Sequence, residues 1–556
     1  MRNIYPFGKA PFVILIIAII SGIAYGWMKW QRSSAKRPEL ILVFQAEIHE
    51  ELYKKAAEEF GKQHNCTVKL QRVQKEVLMS RLQSAMQTGC EVPDVVELLE
   101  GTIGYFTRGE LRNVGLVDLT DRLKADGFMD PDVMVQKRYA LWSSRGHIFA
   151  IPHDVHPSGL CYRTDLIEKL GIDVTKLKTW DDFVKVGQKI TGEWEESDLA
   201  LGIEKGKKRY MIDMADDSMV SMIILLTQRG YDLFDANGNV AFDKPEVAEL
   251  IAWFVHQTRG IDRIAFPAGD GQNFYQAMQE GLNLFYFTPD WRTMQFTLDL
   301  NFDPKKPEDL KKPESIMKGK LGLMRMPVWA DKDGNRLPGT YQTGTWGGSG
   351  LAITKHCKNQ DLAWEFAKYL YLTASDDDFV YRFKQTNIVP PIKKVWKAKG
   401  FDEKSKFFKE MVHDADGNLI TVPLSLGEFY ANQADDTPPH FSTAYTSQAE
   451  TQFLNVYYTA RDFYESRVKS LGKNPSPEAL KQLDDDMLKL INEKLKTNAD
   501  YVRRLIKRNV FLTDGVEASP QDTPTAASPQ NTSSEASQQD PPTAASPAES
   551  ETKQEQ

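Results

Sequence analysis

The chain has 556 residues, of which 41% are hydrophobic and 26% are charged, which is a globular composition long enough for more than one domain. The formal net charge of −8 argues against a nucleic-acid-binding protein, whose surface would be basic. Aromatic residues make up 11% of the chain, a content that suits an aromatic-lined groove and equally suits a large core.

The membrane signal of the sequence lies in residues 1–37. An apolar run from Ala10 to Met28 approaches the ~20 residues that span a bilayer, and basic residues flank both of its ends. This segment is interpreted as an uncleaved membrane anchor or as a long signal peptide with a weak cleavage site at Gly22-Ile23-Ala24. We favour the anchor, and the lack of a nearby cysteine excludes a lipoprotein.

Strands and helices alternate in the next part of the chain. The predicted elements are strands at 39–44, 67–73 and 93–98 and helices at 50–63 and 77–86. Such alternation predicts a parallel sheet covered by helices, and ligands of such sheets gather at the carboxyl ends of the strands. Gln45, Glu47, Glu97 and Leu99 therefore become candidate cleft residues, although for any single one of them a solvated loop position is the favoured interpretation.

The four cysteines, Cys66, Cys90, Cys161 and Cys357, contain no C-x-x-C pair, so neither a zinc nor a redox motif is indicated. In an exported chain Cys66 and Cys90 could form a disulfide, and four buried thiols are the equal alternative.

The segment His153-Asp154-Val155-His156 has the appearance of a metal cluster. A strand would place His153 and Asp154 on opposite sides, and no further ligand is evident, so we predict neither a metal nor a cofactor. Asp154 is instead expected to accept hydrogen bonds from hydroxyl groups. The loop D-A-N-G-N at 235–239 resembles half of an EF-hand, but a β-turn explains it better.

Asp290, Trp291 and Arg292 follow an apolar strand at 282–287. A sugar ring has apolar faces that suit a flat aromatic side chain and a polar rim that suits charged side chains. The alternative is a tryptophan that seals the end of the strand.

A glycine turn at 347–350 then opens into a short apolar strand and a helix. Gly347 and Gly348 let a ligand or another backbone segment approach closely, and Trp346 directly before them could be a binding platform. From these residues alone, a tight turn that feeds a core strand is the favoured interpretation.

The same stretch resembles a known family. Trp-Gly-Gly-Ser-Gly-Leu-Ala-Ile-Thr, followed by Ala-Trp-Glu-Phe-Ala-Lys-Tyr-Leu, is similar to the signature segment of extracellular solute-binding proteins (family 1) of ATP-driven importers, and closest to the sugar-binding group. Segments 115–120, 146–152 and 171–183 match further family motifs in the right order. Arg163 departs from the pattern, because the family usually has asparagine there.

The resemblance implies an α/β, periplasmic-binding-protein-like (type II) fold with two lobes, a hinge and a cleft between the lobes, within residues 38–514. The N-terminal lobe would take mainly 38–155 and part of 300–360, and the C-terminal lobe mainly 160–290 and 360–460, including the helix after the glycine turn. With the resemblance counted, we expect Trp291 to face the cleft. The predicted ligand-binding residues are Gln45, Glu47, Glu97, Asp154, Asp290, Trp291, Arg292, Trp346, Gly347, Gly348 and Tyr430.

The function implied by the resemblance is non-catalytic capture of a mono- or oligosaccharide, followed by delivery to ABC permease subunits. The chain would lie outside the cytoplasm of a bacterium and be anchored in the membrane. Three alternatives remain: a glycoside hydrolase with Asp154 and Asp290 as an acid/base pair, a sensor-associated binding protein, and a polyamine or peptide binder of the same fold.

Residues 515–556 differ in kind from the rest. They contain repeats such as Glu-Ala-Ser-Pro-Gln-Asp and lack large apolar residues, so they cannot bury enough surface to offset chain entropy. We predict a disordered tail without binding chemistry.

Overall fold

The computed structural model describes residues 16–24, 40–191, 209–269, 272–300, 320–472 and 474–512. Residues 16–24 form an exposed helical segment. Within the described ranges, no helix has both the length and the apolar character that crossing a membrane requires. The remainder of the predicted anchor and the predicted tail at 515–556 lie outside the described residues.

Short strands alternate with helices along most of the described chain. The strands are β1 Leu40–Phe44, β2 Val68–Arg72, β3 Val95–Leu99, β4 Ser143–Ser144, β5 His147–Ile148, β6 Ile151–Pro152, β7 Ser158–Arg163, β8 Tyr210–Ile212, β9 Asn283–Pro289, β10 Leu321–Arg325, β11 Ser349–Ile353, β12 Lys404–His413 and β13 Leu419–Ser425. The helices are α1 Glu50–His64, α2 Lys75–Thr88, α3 Thr120–Ala125, α4 Thr164–Lys169, α5 Trp180–Ile190, α6 Val220–Gln228, α7 Pro245–Arg259, α8 Gln272–Glu280, α9 Asp290–Leu300, α10 Gln360–Lys368, α11 Asp376–Thr386, α12 Leu426–Ala434, α13 Thr446–Leu471 and α14 Pro477–Arg508.

The first sheet has the strand order β2-β1-β3-β11-β6. β1 is parallel to both β2 and β3, as the alternation of strands and helices predicts. β11, the strand that opens from the glycine turn, is antiparallel to β3, with Ser349 opposite Leu99 and Ile353 opposite Val95. The turn at 347–348 therefore lies at the carboxyl end of β3, the edge at which a ligand is expected.

The second sheet has the order β13-β12-β10-β7-β9-β8. It is a mixed sheet, because β9 and β10 run antiparallel to β7 while β8 is parallel to β9. Every residue of β7 and β9 is buried, as expected for strands covered on both faces.

The hydrophobic core is continuous between the two sheets. Along β1, Leu42 and Phe44 belong to the same cluster as Cys161 of β7 and Tyr286 of β9. Alternate side chains of each strand point the other way, into separate clusters on the far faces. The sheets are thus connected by packing as well as by three chain crossings, which run between β6 and β7, between β10 and β11, and between β11 and β12.

Helix α10 packs on the first sheet, whereas the resemblance assigned it to the C-terminal lobe. Its apolar face meets α1, where the rings of Phe366 and Phe60 lie 5.1 Å apart. The indole N–H of Trp364 donates to Asp126, 3.1 Å away, beside the end of α3. The part of the 360–460 segment that forms α10 therefore belongs with the first sheet, because the buried face of α10 packs against α1.

Two long helices, α13 and α14, pack against α7 on the second sheet. Ser476 caps α14 by accepting a hydrogen bond from the N–H of Ala479, and Pro477 occupies the first helical position. The buried face of α14 includes Leu483, Met487 and Ile491, which recur at helical spacing.

None of the four cysteines forms a disulfide, and all four lie among the described residues. Cys90 is exposed and Cys66 is half-buried, so the alternative of four buried thiols is wrong as well. The loop at 235–239 is a turn, as predicted. Its Asp235 side chain accepts hydrogen bonds from the N–H groups of Asn237 and Asn239 at 2.9 and 2.8 Å.

Candidate functional site

Trp291 and Trp346 meet where the two sheets adjoin. Trp291 lies in the first turn of α9, directly after β9, and Trp346 lies in the turn before β11. Their rings meet edge to face at an angle of 70°, with centroids 5.0 Å apart, and the Trp291 indole N–H donates to the Trp346 carbonyl at 3.3 Å. Both side chains are half-buried, so the pair presents aromatic surface to solvent.

The side chain of Arg292 packs against this aromatic pair. Its guanidinium carbon lies 4.9 Å from the ring centroid of Trp346 and 4.2 Å from that of Phe274, which are cation–π distances. The side chain is largely buried, with 8% of its surface exposed. Arg292 thus contacts Trp346, and its predicted role in ligand binding stays a prediction.

Beneath the tryptophans, His156 connects two buried carboxylates. Its Nδ1 lies 2.6 Å from Asp290, and its Nε2 lies 3.1 Å from Asp154. Burial would lower the pKa of His156, but the two carboxylates raise it to about 10, so the ring is a cation at neutral pH. Burial likewise favours a higher pKa for Asp154, and the His156 charge overcomes it and holds that pKa well below the usual range.

Asp154 and Asp290 are fully buried and have their oxygens occupied. The backbone N–H groups of Ser349 and Val389 donate to them at 2.8 and 2.7 Å. The sequence predicts that Asp154 accepts hydrogen bonds from hydroxyl groups. In the structure its carboxylate is instead occupied by groups of the protein itself. The same pairing removes the two aspartates as an acid/base pair, because each is bound to the imidazolium between them.

Arg138, which the sequence interpretation missed, holds the glycine turn in place. Its guanidinium is fully buried and donates to the Asp154 carboxylate, the Thr345 hydroxyl and the Gly347 carbonyl at 3.0 to 3.1 Å. No local sequence signal marks this residue, since its partners lie in distant segments of the chain.

Because Gly347 and Gly348 have no side chain, other groups of the protein pack closely against them. Gly347 has a φ of 97°, and a Cβ there would lie 3.1 Å from the His156 ring and 3.2 Å from the Trp291 indole nitrogen. A Cβ on Gly348 would lie 2.9 Å from the Arg138 guanidinium. The close neighbours are protein groups, so both glycines shape the site through packing.

Glu97 is the central residue of β3 and is fully buried. It accepts a hydrogen bond from Tyr53 and lies 2.7 Å from Nδ1 of His49. Burial favours a raised pKa, yet the charge and hydrogen bond of His49 dominate and lower the pKa of Glu97. The structure therefore separates Glu97 from Trp291 and Trp346 and gives it partners within the first sheet.

The other predicted residues lie apart from the tryptophan pair. Glu47 is exposed and forms an ion pair with Arg72 at 2.9 Å, and Gln45 is half-buried beside Glu97. Tyr430 is fully buried, and its hydroxyl donates to the Thr288 carbonyl at 3.0 Å.

Glu100, the residue after β3, was also missed. It accepts a hydrogen bond from the Gly347 N–H at 3.0 Å, which places it beside Trp346. The charge of Glu100 also acts on Glu450, which lies on α13 of the second-sheet side. Burial raises the pKa of Glu450, the charge of His440 opposes this effect, and the charge of Glu100 adds to it. His440 lies 2.9 Å from Asp232, whose carboxylate outweighs burial and raises the His440 pKa to about 9. Glu100 on the first-sheet side thus interacts electrostatically with His440 and Glu450 on the second-sheet side.

Among the described residues, no group of three or more acidic, histidine or cysteine side chains is arranged to hold a metal ion. Neither His153 nor His156 belongs to such a group, because both rings contact side chains of the protein. The ring of His153 contacts those of His49 and Tyr371, each with a centroid distance of 4.6 Å, while His156 bridges the two aspartates.

The fold is similar to those of solved sugar-binding proteins. The sugar-binding protein MalE from Xanthomonas citri superposes with a TM-score of 0.58 at 16% identity, over 84% of this chain and 99% of that one. The GacH receptor of Streptomyces glaucescens, solved unliganded and with acarbose, superposes with a TM-score of 0.52 at 17% identity, over 81% and 98%. At these identities the similarity establishes the mixed α/β, periplasmic-binding-protein-like fold.

Proteins related to this chain in sequence are also named for binding sugars. An arabinooligosaccharide-binding protein of Bacillus subtilis is 22% identical over 72% of this chain and 84% of its own length. Its counterpart in Halalkalibacterium halodurans is 23% identical over 58% of this chain, and the match spans 64% of that relative's length. The family model for bacterial extracellular solute-binding proteins matches residues 55–409, most of the described chain. The chain belongs to the bacterial extracellular solute-binding proteins.

Proposed function

We propose that this protein binds a neutral carbohydrate, without chemical change, in a cleft between two lobes built on the two sheets. The observation that carries the proposal is the half-buried pair Trp291 and Trp346, which lies where the lobes meet and is held by Arg292 and Glu100. Flat aromatic surface beside hydrogen-bonding groups suits the apolar faces and hydroxyl rim of a sugar.

Relatives support a saccharide as the ligand. The two relatives above are named for binding arabinooligosaccharides, and a third from Rhizobium radiobacter, 22% identical, is named for binding lactose. Solved proteins of similar fold include one bound to maltose and one bound to β-1,6-galactobiose. These ligands are all neutral sugars, so we assign a neutral mono- or oligosaccharide to this chain.

In this proposal the tryptophans stack on the sugar, and the half-buried Glu100 beside Trp346 pairs with its hydroxyl groups. The His156 network acts below the ligand as a support for the aromatic pair. Closure of the lobes around the ligand would follow the hinge motion of periplasmic binding proteins. The closed form would then dock on the permease of an ABC-type importer.

We further propose that the protein works outside the cytoplasm, attached to the membrane through residues 1–37. The apolar run between Ala10 and Met28 supports this attachment. Treating the membrane fraction with high salt and with detergent would test it, because an anchored protein resists salt and is released by detergent.

A thermal-shift screen of the purified protein against neutral saccharides tests the binding function. Arabinooligosaccharides, lactose, maltose and β-1,6-galactobiose are the first probes. A ligand present at about 100 times its Kd should raise the free energy of unfolding by about 2.7 kcal/mol. Chromatography of each saccharide after incubation tests the non-catalytic assignment, and hydrolysis products would refute it. A set of saccharides that produces no shift would remove carbohydrate as the ligand class.

A further inference from the structure

His153 lies between β6 and β7, on a crossover that joins the two sheets, and its backbone is bonded to the start of β11. The His153 N–H donates to the Ser349 carbonyl at 2.9 Å. The side chain of the next residue, Asp154, accepts the N–H of the same serine at 2.8 Å. Ser349 directly follows the glycine turn, so the position of the crossover affects that turn and Trp346 before it.

Titratable side chains from four segments face the His153 imidazole. His49, just before α1, and Tyr371, just after α10, each have a ring centroid 4.6 Å from that of His153. Asp154 lies on the crossover itself, with Oδ2 3.7 Å from Nδ1 of His153, and Glu97 of β3 lies 2.7 Å from Nδ1 of His49. Burial raises the pKa of Tyr371 well above its ordinary value, so this phenol is neutral. The charge of His49 therefore opposes a proton on His153, whereas the two carboxylates favour one.

A proton added to His153 would find no acceptor in place. Nδ1 of His153 and Nε2 of His49 both lack a hydrogen-bond partner among the described residues. The 3.7 Å to Asp154 is too long for a hydrogen bond, and the Ser349 N–H and the His156 ring already occupy that oxygen. Burial first, and then the charge of His49, lower the pKa of His153, so its ring is neutral at pH 7. The side chain is nevertheless 15% exposed, so a proton can reach it from solvent.

Protonation of His153 would draw the Asp154 carboxylate away from its present partners. To accept the new N–H, Oδ2 would have to lengthen its bonds to Ser349 and His156, which now measure 2.8 and 3.1 Å. The bond to Ser349 holds the start of β11, directly after the glycine turn. The bond to His156 is part of the ionic network beneath the tryptophans. Both supports of the Trp346 turn would therefore loosen together.

We propose that His153 is a positioning residue that makes saccharide binding sensitive to acid: the neutral ring keeps Trp291 and Trp346 in their binding geometry, and the protonated ring disturbs it. This inference rests on the proposed function and adds a regulatory property to the same site. Because the pKa of His153 is lowered, affinity is complete above the ordinary value of 6.5 and is lost as the pH falls below it. The protein would thus capture its ligand near neutral pH and release it in acid.

Isothermal titration of the full chain with lactose, maltose and arabinotriose at pH 7.5 and 5.0 tests the inference. Wild-type affinity for a bound probe should fall by about three- to tenfold between these values, since one protonation changes an affinity by at most tenfold per pH unit. His153→Gln retains a neutral amide but cannot titrate, so the ratio of its two affinities should stay within about twofold of one. His147→Gln, at the surface, is the matched control and should keep the wild-type ratio.

Glu450 is the competing source of a pH effect, because burial raises its pKa and Glu100 beside Trp346 adds to the shift. Glu450→Gln should keep the wild-type ratio of affinities. At pH 5.5, binding should release protons from wild type and none from His153→Gln, measured as the dependence of the binding enthalpy on the ionisation enthalpy of the buffer. A pH effect that persists in His153→Gln, or one that disappears in Glu450→Gln, would overturn the inference.

Near-ultraviolet circular dichroism of the unliganded protein reports on the aromatic pair without any saccharide. Acidification from pH 7.5 to 5.0 should change the spectrum of wild type and of His147→Gln. The change should be absent from His153→Gln and diminished in Trp346→Phe. A wild-type spectrum that does not respond to pH, or an equal response in His153→Gln, would contradict the proposed role of His153.

The spectroscopic measurement separates this inference from the proposed function. If no saccharide binds at either pH, the proposed function fails, and the spectra alone decide the role of His153. If His153→Gln does not fold, His49→Gln takes its place. Removing the neighbouring charge should move the midpoint of the wild-type spectral change to higher pH, and an unchanged midpoint would refute the inference.

Discussion

Nδ1 of His156 lies 2.6 Å from Oδ1 of Asp290, and this contact ties the crossover between the two sheets to the end of β9. The crossover cannot move relative to the base of the Trp291 site without separating a buried cation from a buried carboxylate. The same buried ionic group therefore contributes both to the stability of the molecule and to the shape of its site.

Replacing His156 by asparagine should lower the free energy of unfolding by about 3–5 kcal/mol, because it leaves Asp154 and Asp290 buried without their cation. Asparagine tolerates the left-handed backbone at this position, where φ is 55°, so the change reports mainly the lost charge. Urea denaturation measures the effect. His147→Asn is the control, since His147 pairs with Asp118 at the surface and should cost less than about 1 kcal/mol.

The cost of His156→Asn should depend on pH in one direction. The folded pKa of about 10 lies above the ordinary 6.5, so the stabilisation is complete below pH 6.5 and is lost as the pH rises through about 10. Denaturation curves between these limits should show wild type and variant converging as the pH increases. A gap that widens toward alkaline pH would contradict the cationic assignment of His156.

Trp291→Ala should abolish the ligand-induced thermal shift while leaving the unliganded protein folded. The side chain is half-buried, so its loss removes stacking surface from the site and little from the core. Trp253→Ala is the matched control, because Trp253 is also half-buried and its ring contacts those of Trp180 and Trp329 in the core of the second sheet. A full ligand shift in Trp291→Ala would exclude Trp291 from the site.

Gly347→Ala should both destabilise the protein and weaken saccharide binding. The left-handed backbone alone costs a Cβ-bearing residue about 1–2 kcal/mol, and the new methyl group would press on His156 and Trp291. Gly334→Ala separates the two effects, since Gly334 has a φ of 83° but open space around its Cβ position. Binding titrations should show weakened affinity for Gly347→Ala alone, and equal affinities would mean that the turn tolerates the methyl group.

Glu97→Gln and Glu47→Gln should behave differently, although the sequence places both beside the cleft. Glu97 is buried against His49 and Tyr53, so its change should cost about 1–3 kcal/mol, whereas the exposed Glu47 should have little effect. The Glu97 stabilisation exists above the ordinary pKa of 4.5 and is lost as the pH falls below it, because its folded pKa is lowered. Denaturation at neutral and acidic pH checks both the size and the direction of the effect.

The sequence predicts the early strands and helices well because their apolar periodicity is local. The α1 face of Leu52, Ala56 and Phe60 is buried as its spacing requires. The glycine turn follows from a local signal as well, whereas the expectation that Trp291, Arg292 and Trp346 share one cleft rests on the family resemblance.

The polar network could not be predicted in the same way. Asp290 meets His156, and Arg138 meets Gly347, across long separations in the chain, so no local pattern marks either contact. Glu97 shows the converse error. Its place near the end of the predicted strand suggests the cleft, but it lies in the middle of β3, where Tyr53 on α1 and His49 before α1 cover the carboxylate. Charge pairing between distant segments decides which polar residues are available to a ligand.

The placement of β11 has a consequence for biosynthesis. β11 lies between β3 and β6 in the first sheet, yet it is encoded more than two hundred residues after β3. A nascent chain that has emerged only as far as β10 exposes an unpaired edge on β3 and lacks the partner of β6. The N-terminal half therefore cannot mature on the ribosome by itself, and closure of its sheet waits for a late segment, which makes folding slow and keeps the growing polypeptide open.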